Sequence, residues 1–209
     1  KTDFEKLESI YKDIRSNPTW IPFVCEWSFR DPSPLEVEVG GQAKIRLRGT
    51  IDRIDLATLP TGAAMRVADY KSGMVSGSET LAKEIHGGIN LQLSAYALAV
   101  EAAQKSGRQP RELQGHANAQ LTQVGLIALK QGKESCVAVD MEKARDWIRL
   151  AAEFIATGRL APKPKDNKCP ALGQRGFCDY PGLCRAALLP KTWFEDDYLE
   201  LRPEKEKAP

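Results

Sequence analysis

No stretch of this sequence approaches the run of roughly 20 apolar residues that a membrane-spanning helix needs, and no secretory signal pattern is visible. A membrane partner is therefore not expected, and the expected setting is cytoplasmic. An excess of charge of one sign is missing too: 30 Lys and Arg stand against 28 Asp and Glu, a formal net charge of +2. Nothing global marks a polyanion partner, so any attraction for nucleic acid must come from local clusters of Lys and Arg. Internal repeats are absent. Histidine is limited to His86 and His116, both in stretches that read as loops, where a solvated ring is expected rather than a catalytic one. The five cysteines are an odd number, which argues against a disulfide framework and for a reducing compartment.

What is present is the composition of an ordinary globular domain, 42% hydrophobic and 28% charged, in 209 residues that can bury one good-sized core. The chain begins at Lys1 rather than Met and runs straight into helical sequence, which reads as a fragment of a longer protein. Residues 3–15 place Phe4, Leu7, Ile10, Tyr11 and Ile14 at helical spacing. A strand is expected over Phe23–Phe29, then a turn at Asp31-Pro32-Ser33-Pro34. Over 43–52, Ala43, Ile45, Leu47, Gly49 and Ile51 alternate with Lys44, Arg46, Arg48, Thr50 and Asp52, which predicts one half-buried strand. Met65–Lys71 reads as its antiparallel return after the Pro60/Gly62 turn. Leu91–Ala103 is apolar on nearly every face and predicts an interior helix. Residues 122–129 and 134–139 predict a second strand pair. Asp140 is placed to cap a helix in which Met141, Ala144, Ile148, Ala151 and Ile155 make one apolar stripe, ending at Gly158. Beyond Pro162 the chain turns rich in Pro, Gly and Cys, and 203–209 has the composition of a disordered tail. The expected domains are a core over 1–160, an extension over 161–202 and that tail.

Three segments belong together chemically: Gly49-Thr-Ile-Asp52-Arg-Ile-Asp55, Asp69-Tyr-Lys71-Ser-Gly73 and Leu91-Gln92-Leu-Ser-Ala-Tyr96. Asp69 and Lys71 are two apart on a strand and leave the same face, behind Met65 and Val67. If the hairpin pairs as expected, Asp52 reaches the same point. Two carboxylates converging beside an ammonium are what metal-assisted phosphodiester hydrolysis needs. Mg²⁺ takes hard oxygen ligands and keeps several waters, so two carboxylates and a backbone carbonyl can hold it. The ion acidifies a bound water and neutralises charge on the phosphate, while Lys71 orients that water or stabilises the developing charge. Gln92 and Tyr96, at i and i+4 on an apolar helix, hold the lysine, contact a phosphate, or form a buried hydrogen-bonded pair. Taken alone, Asp52, Arg53 and Asp55 read as a surface ion-pair cluster; followed by Asp69-Tyr-Lys71 they read as a site.

In this order and spacing, G-T-I-D-R-I-D, D-Y-K-S-G and Q-L-x-x-Y resemble the RecB-like branch of the PD-(D/E)XK nucleases, to which AddB-like repair nucleases also belong. The motifs run from about Phe23 to Tyr96, and the layout through Arg185. The resemblance implies an α/β restriction-endonuclease-like core, a small mixed β-sheet flanked by helices, with a Cys-containing C-terminal extension. It implies Asp52 and Asp69 as metal ligands for Mg²⁺ or Mn²⁺, Lys71 as the catalytic lysine, and Gln92 and Tyr96 as the family's trailing motif. Glu26 falls where that family shows an acidic residue on the first strand, supporting the ligands or serving the fold alone. Lys44, Arg46, Arg48 and Arg53 are the candidate DNA contacts, the first three as the wet face of the strand that carries Asp52.

The implied partners are DNA, single-stranded by expectation, and a helicase domain or subunit of one repair complex. The alternative is a non-catalytic DNA-binding module that keeps the fold. Relatives often hold an iron–sulfur cluster with one upstream Cys and a C-x2-C-x5-C trio. Here Cys178 and Cys184 keep the last spacing and Arg185 follows, but eight residues separate Cys169 from Cys178 and no upstream fourth ligand is evident. A cluster is not expected in this chain, and Cys169, Cys178 and Cys184 read as remnant ligands. The resemblance also implies a helix ahead of the first strand supplying a His or Glu to the metal. Residues 1–20 have no His, and Glu5 and Glu8 lie in a plain amphipathic pattern. The chain alone is therefore expected to be a weak nuclease.

Overall fold

Alternation and turn chemistry set most of the elements in this computed structural model, which describes residues 20–30, 33–41 and 43–157 together with Glu5 and Glu8. In chain order they are β1 (Ile21–Phe29), β2 (Leu35–Val39), β3 (Ala43–Leu47), β4 (Gly49–Leu59), β5 (Gly62–Lys71), α1 (Ser78–His86) and α2 (Leu91–Lys105). A short 3-10 helix at Arg111–His116, β6 (Gln120–Ala128), β7 (Lys133–Ala138) and α3 (Met141–Thr157) complete them. The chain divides into two compact units, Lys1–Ala152 and Glu153–Pro209; the second lies outside the described residues except for 153–157. The predicted 161–202 extension, with Cys169, Cys178 and Cys184, and the 203–209 tail also lie outside them, as does most of the helix predicted over 3–15.

Five strands form one mixed sheet in the order β1-β4-β5-β6-β7, antiparallel throughout except between β5 and β6. A parallel pair needs a crossover rather than a hairpin, and α1 and α2 lie in that crossover. Ile54, Met65 and Val67 are fully buried in one cluster with Leu93, Ala97 and Val100 of α2. Helix α2 packs on α1, β2, β5 and β6, so it is apolar nearly all round. Asn90 caps its start by accepting from the Leu93 amide, and Asp140 does the same for the Lys143 amide at the start of α3.

The predicted hairpin of Asp52 and Asp69 and the pair of strands around Gln131-Gly132 form as expected. The single strand predicted over 43–52 does not. It breaks at Arg48, so that β3 pairs with β2 in a separate two-stranded sheet while β4 joins the main one. The physical reason is an unrecognised hairpin: Leu35, Val37 and Val39 alternate with Glu36 and Glu38, and Gly40-Gly41 (φ +60° and +76°) closes a tight turn onto Ala43. Helix α1 was not predicted from the sequence; it buries Leu81 and Ile85 one turn apart. His86 ends α1 and His116 ends the 3-10 helix, where its ring meets Phe23 edge-on, rather than lying in loops.

Candidate active site

Strands β4 and β5 pair from Leu59↔Gly62 to Arg53↔Ala68 and then part. Beyond that rung β4 stays with β1 as far as Gly49↔Phe29, and β5 stays with β6 as far as Lys71↔Ala128. The next rung would set Asp52 opposite Asp69. In its place the Asp52 carboxylate (Oδ2) accepts the Tyr70 backbone N–H at 2.7 Å. Both carboxylates therefore stand at the mouth of the fork, close enough for the Asp52 charge to bear on Asp69. The sheet is thus hydrophobic up to the point where it opens, and acidic there.

Asp69 is only 3% exposed. Its Oδ1 accepts from Gln92 Nε2 at 2.9 Å, and Lys71 Nζ lies 2.6 Å from Oδ2. That ammonium sits off the hydrogen-bond direction, which leaves the buried Oδ2 with an ion pair but no hydrogen-bond donor. Lys71 donates instead to Gln92 Oε1 at 2.9 Å, and Gln92 Nε2 also reaches Tyr96 Oη at 2.9 Å. Gln92 therefore uses both ends of its amide, fixing the lysine with one and the aspartate and tyrosine with the other. Burial pushes the Asp69 carboxyl above the usual range; Lys71 opposes the shift and the nearby Asp52 adds to it. Burial likewise raises the Tyr96 phenol, with Gln92 opposing and Asp69 and Asp52 adding.

A carboxyl whose folded pKa is raised binds its proton more tightly in the native state, so stability falls as pH rises from the ordinary carboxylate range through the raised value. Divalent-metal affinity must move the other way, because the ligand form is the carboxylate. Calorimetric titration of the chain with Mn²⁺ should show affinity climbing through the window just above the ordinary Asp range. A pH-independent affinity there would remove Asp69 from the ligand set.

The donor set fits a hard divalent cation. Two carboxylates stand at one end of the sheet, close enough for the Asp52 charge to bear on Asp69, and the buried Asp69 Oδ2 is ion-paired with Lys71 but accepts no hydrogen bond. Among the described residues no three His, Cys, Asp or Glu side chains gather to hold a metal, so a cation at Asp52 and Asp69 would need backbone oxygens and water to fill its shell.

The opposite face of the same strands carries a buried ionic network. Arg53 (1% exposed) forks onto Asp55 (0% exposed) through Nε at 2.6 Å and Nη2 at 2.9 Å. Arg66 Nε donates to Asp55 Oδ2, the oxygen that also accepts from Arg53 Nη2, and Glu134 of β7 sits 2.9 Å from Arg66 and 3.3 Å from Arg53. Burial works against the Arg53 charge, but Asp55 outweighs it and holds the guanidinium above its ordinary pKa. Arg53 Nη1 also donates to the Tyr70 hydroxyl at 3.2 Å. Tyr70 is thereby held from both sides, its amide by Asp52 and its ring by Arg53. Sequence reasoning missed Arg66 and Glu134. The available signal was a lone Arg66 amid Ala64, Met65, Val67 and Ala68, since a charge on a buried strand requires a partner.

Gly49 explains the start of the first motif. A Cβ there would sit 2.7 Å from Phe29 Cζ, and the buried Phe29 ring is backed edge-on by Tyr96 at 6.0 Å between centroids. Gly49→Ala should destabilise the fold by about 1–3 kcal/mol, the usual cost of overpacking, and slow any cleavage by displacing Tyr96. Urea unfolding reads the first effect; an unchanged midpoint would show that Phe29 yields freely.

The predicted basic contacts separate into two groups. Arg53 is buried in its ion pairs and on the reverse face from Asp52, so the structure corrects its reading as a phosphate contact to a structural one. Lys44 and Arg46 do not share the strand of Asp52. They lie on β3, where Lys44 reaches Glu36 at 3.1 Å and Glu38 at 3.9 Å, and Arg46 reaches Glu36 at 3.5 Å. Arg48 is exposed at the break between β3 and β4. Glu26 is exposed, with a left-handed φ of +54°, and in the β1–β4 register it falls opposite Asp52, between Cys25↔Arg53 and Trp27↔Ile51. That backbone costs a non-glycine residue about 1–2 kcal/mol. Cys25 and Cys136 are free thiols.

Segments of the chain match bacterial proteins, each named as one subunit of an ATP-dependent helicase/deoxyribonuclease. The one from Carboxydothermus hydrogenoformans is 41% identical over 80 residues, 37% of this chain and 7% of that protein. Those from Desulfitobacterium hafniense and Lysinibacillus sphaericus are 44% and 38% identical over 63 residues, 30% of this chain and 5% of each. The matched segment thus spans a small fraction of these relatives. The family model of the PD-(D/E)XK nuclease superfamily matches residues 5–185, and the chain belongs to that superfamily.

Proposed function

We propose that the chain is the nuclease module of a bacterial DNA-repair protein, hydrolysing DNA phosphodiester bonds with Mg²⁺ or Mn²⁺. We assign it as an exonuclease on single strands delivered by a helicase domain or subunit, in the cytoplasm. The reading is carried by one observation: Asp52 and Asp69 meet where β4 and β5 part, with Lys71 locked beside them by Gln92. The names of the relatives support the helicase and DNA parts of it.

Asp52 and Asp69 would hold the cation, which when bound acidifies a water and offsets charge on the phosphate. The chain's own residues do the rest. The Tyr70 amide fixes the direction of the Asp52 carboxylate. Gln92 holds the Lys71 ammonium against the buried Asp69, so it is positioned before substrate arrives and needs no reorganisation as negative charge grows on the phosphate. The raised Tyr96 phenol keeps its proton at neutral pH and remains a donor beside the same space.

A non-catalytic binding module is the rival. It has no use for a buried carboxylate that burial holds above its ordinary pKa even with Lys71 paired to it, a feature that costs stability unless a reaction uses it. End-labelled single-stranded DNA incubated with Mg²⁺, Mn²⁺ or EDTA separates the two. Metal-dependent mononucleotide release supports the exonuclease, internal fragments mean endonuclease action, and unbroken DNA under all conditions leaves the binding module.

A further inference from the structure

Beyond the carboxylates, the structure holds a cleft of about 350 Å³ between the end of β1, the start of β2 and the C-terminal half of α2. Trp27, Phe29 and Ala102 form its apolar part, and Arg30 and Arg108 its charged part. A second hollow of about 330 Å³ adjoins it, sharing Arg30 and adding Arg48, Gly49 and Thr50. Two independent paths lead from this place to the fork. Gly49 is three residues from Asp52 along β4, roughly 10 Å at strand rise. Ala103 is seven residues from Tyr96 along α2, again roughly 10 Å at helix rise. The Phe29 ring links the two, touching Tyr96 on one side and lining the cleft on the other.

We propose that this cleft seats the stretch of single-stranded nucleic acid next to the bond cleaved, with phosphates on Arg30, Arg48 and Arg108 and a base against Trp27. The assignment rests on the hydrolase reading of the fork and adds to it the substrate's path. The chemistry is selective. Three exposed guanidiniums around an aromatic wall suit a ligand carrying regular negative charge and flat rings, and base–aromatic stacking needs bases that are not already paired. Glu36, the carboxylate whose pKa is lowered by Lys44 foremost, then by Arg46 and Arg108, is held by Lys44 and Arg46. Neither hollow is lined by a carboxylate, and their charged lining is arginine alone. The volume is that of a site for one small ligand, not for a duplex.

The test is fluorescence anisotropy of labelled oligo-dT with the full chain in EDTA, where no hydrolysis occurs. Arg30→Ala and Arg108→Ala should each flatten the dependence of log affinity on log salt by about 0.7, the single-strand value for one phosphate contact. Trp27→Leu should weaken oligo-dT about tenfold and leave an abasic strand of equal length unchanged. Lys83→Ala, on α1 and paired with Glu79, serves as the neutral control. The assignment is overturned if the wild-type chain fails to bind oligo-dT, if both arginine variants keep the wild-type salt slope, or if duplex of the same sequence competes as well as the single strand. A phosphopeptide that displaces oligo-dT at equal concentration would also overturn it, making the cleft a peptide site. Because binding is read without metal, loss of the hydrolase reading appears separately, as intact DNA in Mg²⁺ with these binding effects preserved.

Discussion

Asp69→Asn or Lys71→Ala is expected to lower metal-dependent DNA cleavage by more than about a thousandfold while the protein folds as before. On the proposed reading Asp69 would contribute a ligand and Lys71 the charge beside it, and loss of one preorganised charge-stabilising group alone costs about a hundred- to a thousandfold. The stability side has a definite sign. Native Asp69 holds its proton more tightly than an unfolded aspartate, so at neutral pH its ionisation opposes folding. Asn mimics the protonated form, keeps an acceptor for Gln92 and removes the charge, so Asp69→Asn should melt at the wild-type temperature or above it in EDTA. With Mn²⁺ added, the wild type should gain stability through binding and the variant should gain little. Near-wild-type cleavage by either variant would displace the site from this fork.

The largest loss of stability should come from the other face of the sheet. Asp55→Ala leaves Arg53 and Arg66 buried with only the partly exposed Glu134 between them. Breaking a buried pair by removing one partner typically costs about 3–5 kcal/mol, because an uncompensated charge remains. For a chain of this size that corresponds to a melting temperature lower by roughly 10 °C. Replacing Asp55 together with Arg53 and Arg66 by apolar residues of similar volume should recover most of the loss, since the cost lies in the orphaned charges. Cleavage should suffer as well, because Arg53 no longer steadies Tyr70, whose amide orients Asp52. If Asp55→Ala melted within a degree or two of the wild type, the network would be a bystander.

Local chemistry made much of this protein readable from its sequence. Period-two alternation over 65–71, with Asp69 and Lys71 on the Met65–Val67 face, determined which side chains meet the solvent end of a buried face. The i, i+4 spacing of Gln92 and Tyr96 on an otherwise apolar helix determined that they act as one polar unit, and both now touch each other and Asp69 through Gln92. The separation of Lys44 and Arg46 from Asp52 was less legible, because continuous alternation across Arg48 carries no mark of a change of partner strand. Only the pairing of β3 with β2 ends it.

What the tertiary structure alone decided is which strand lies beside which, and where that stops. Asp52 and Asp69 are seventeen residues apart, and their meeting depends on β4 leaving β5 after Arg53↔Ala68 to follow β1, while β5 follows β6. Arg53 and Glu134 belong to strands separated by two others in the sheet, β5 and β6, yet the long side chains close over the face between them. No periodicity encodes such contacts, because a strand's pattern states which face is buried but not what covers it. The residues of the site were therefore determined locally, and the fork that brings them together by the register of five strands.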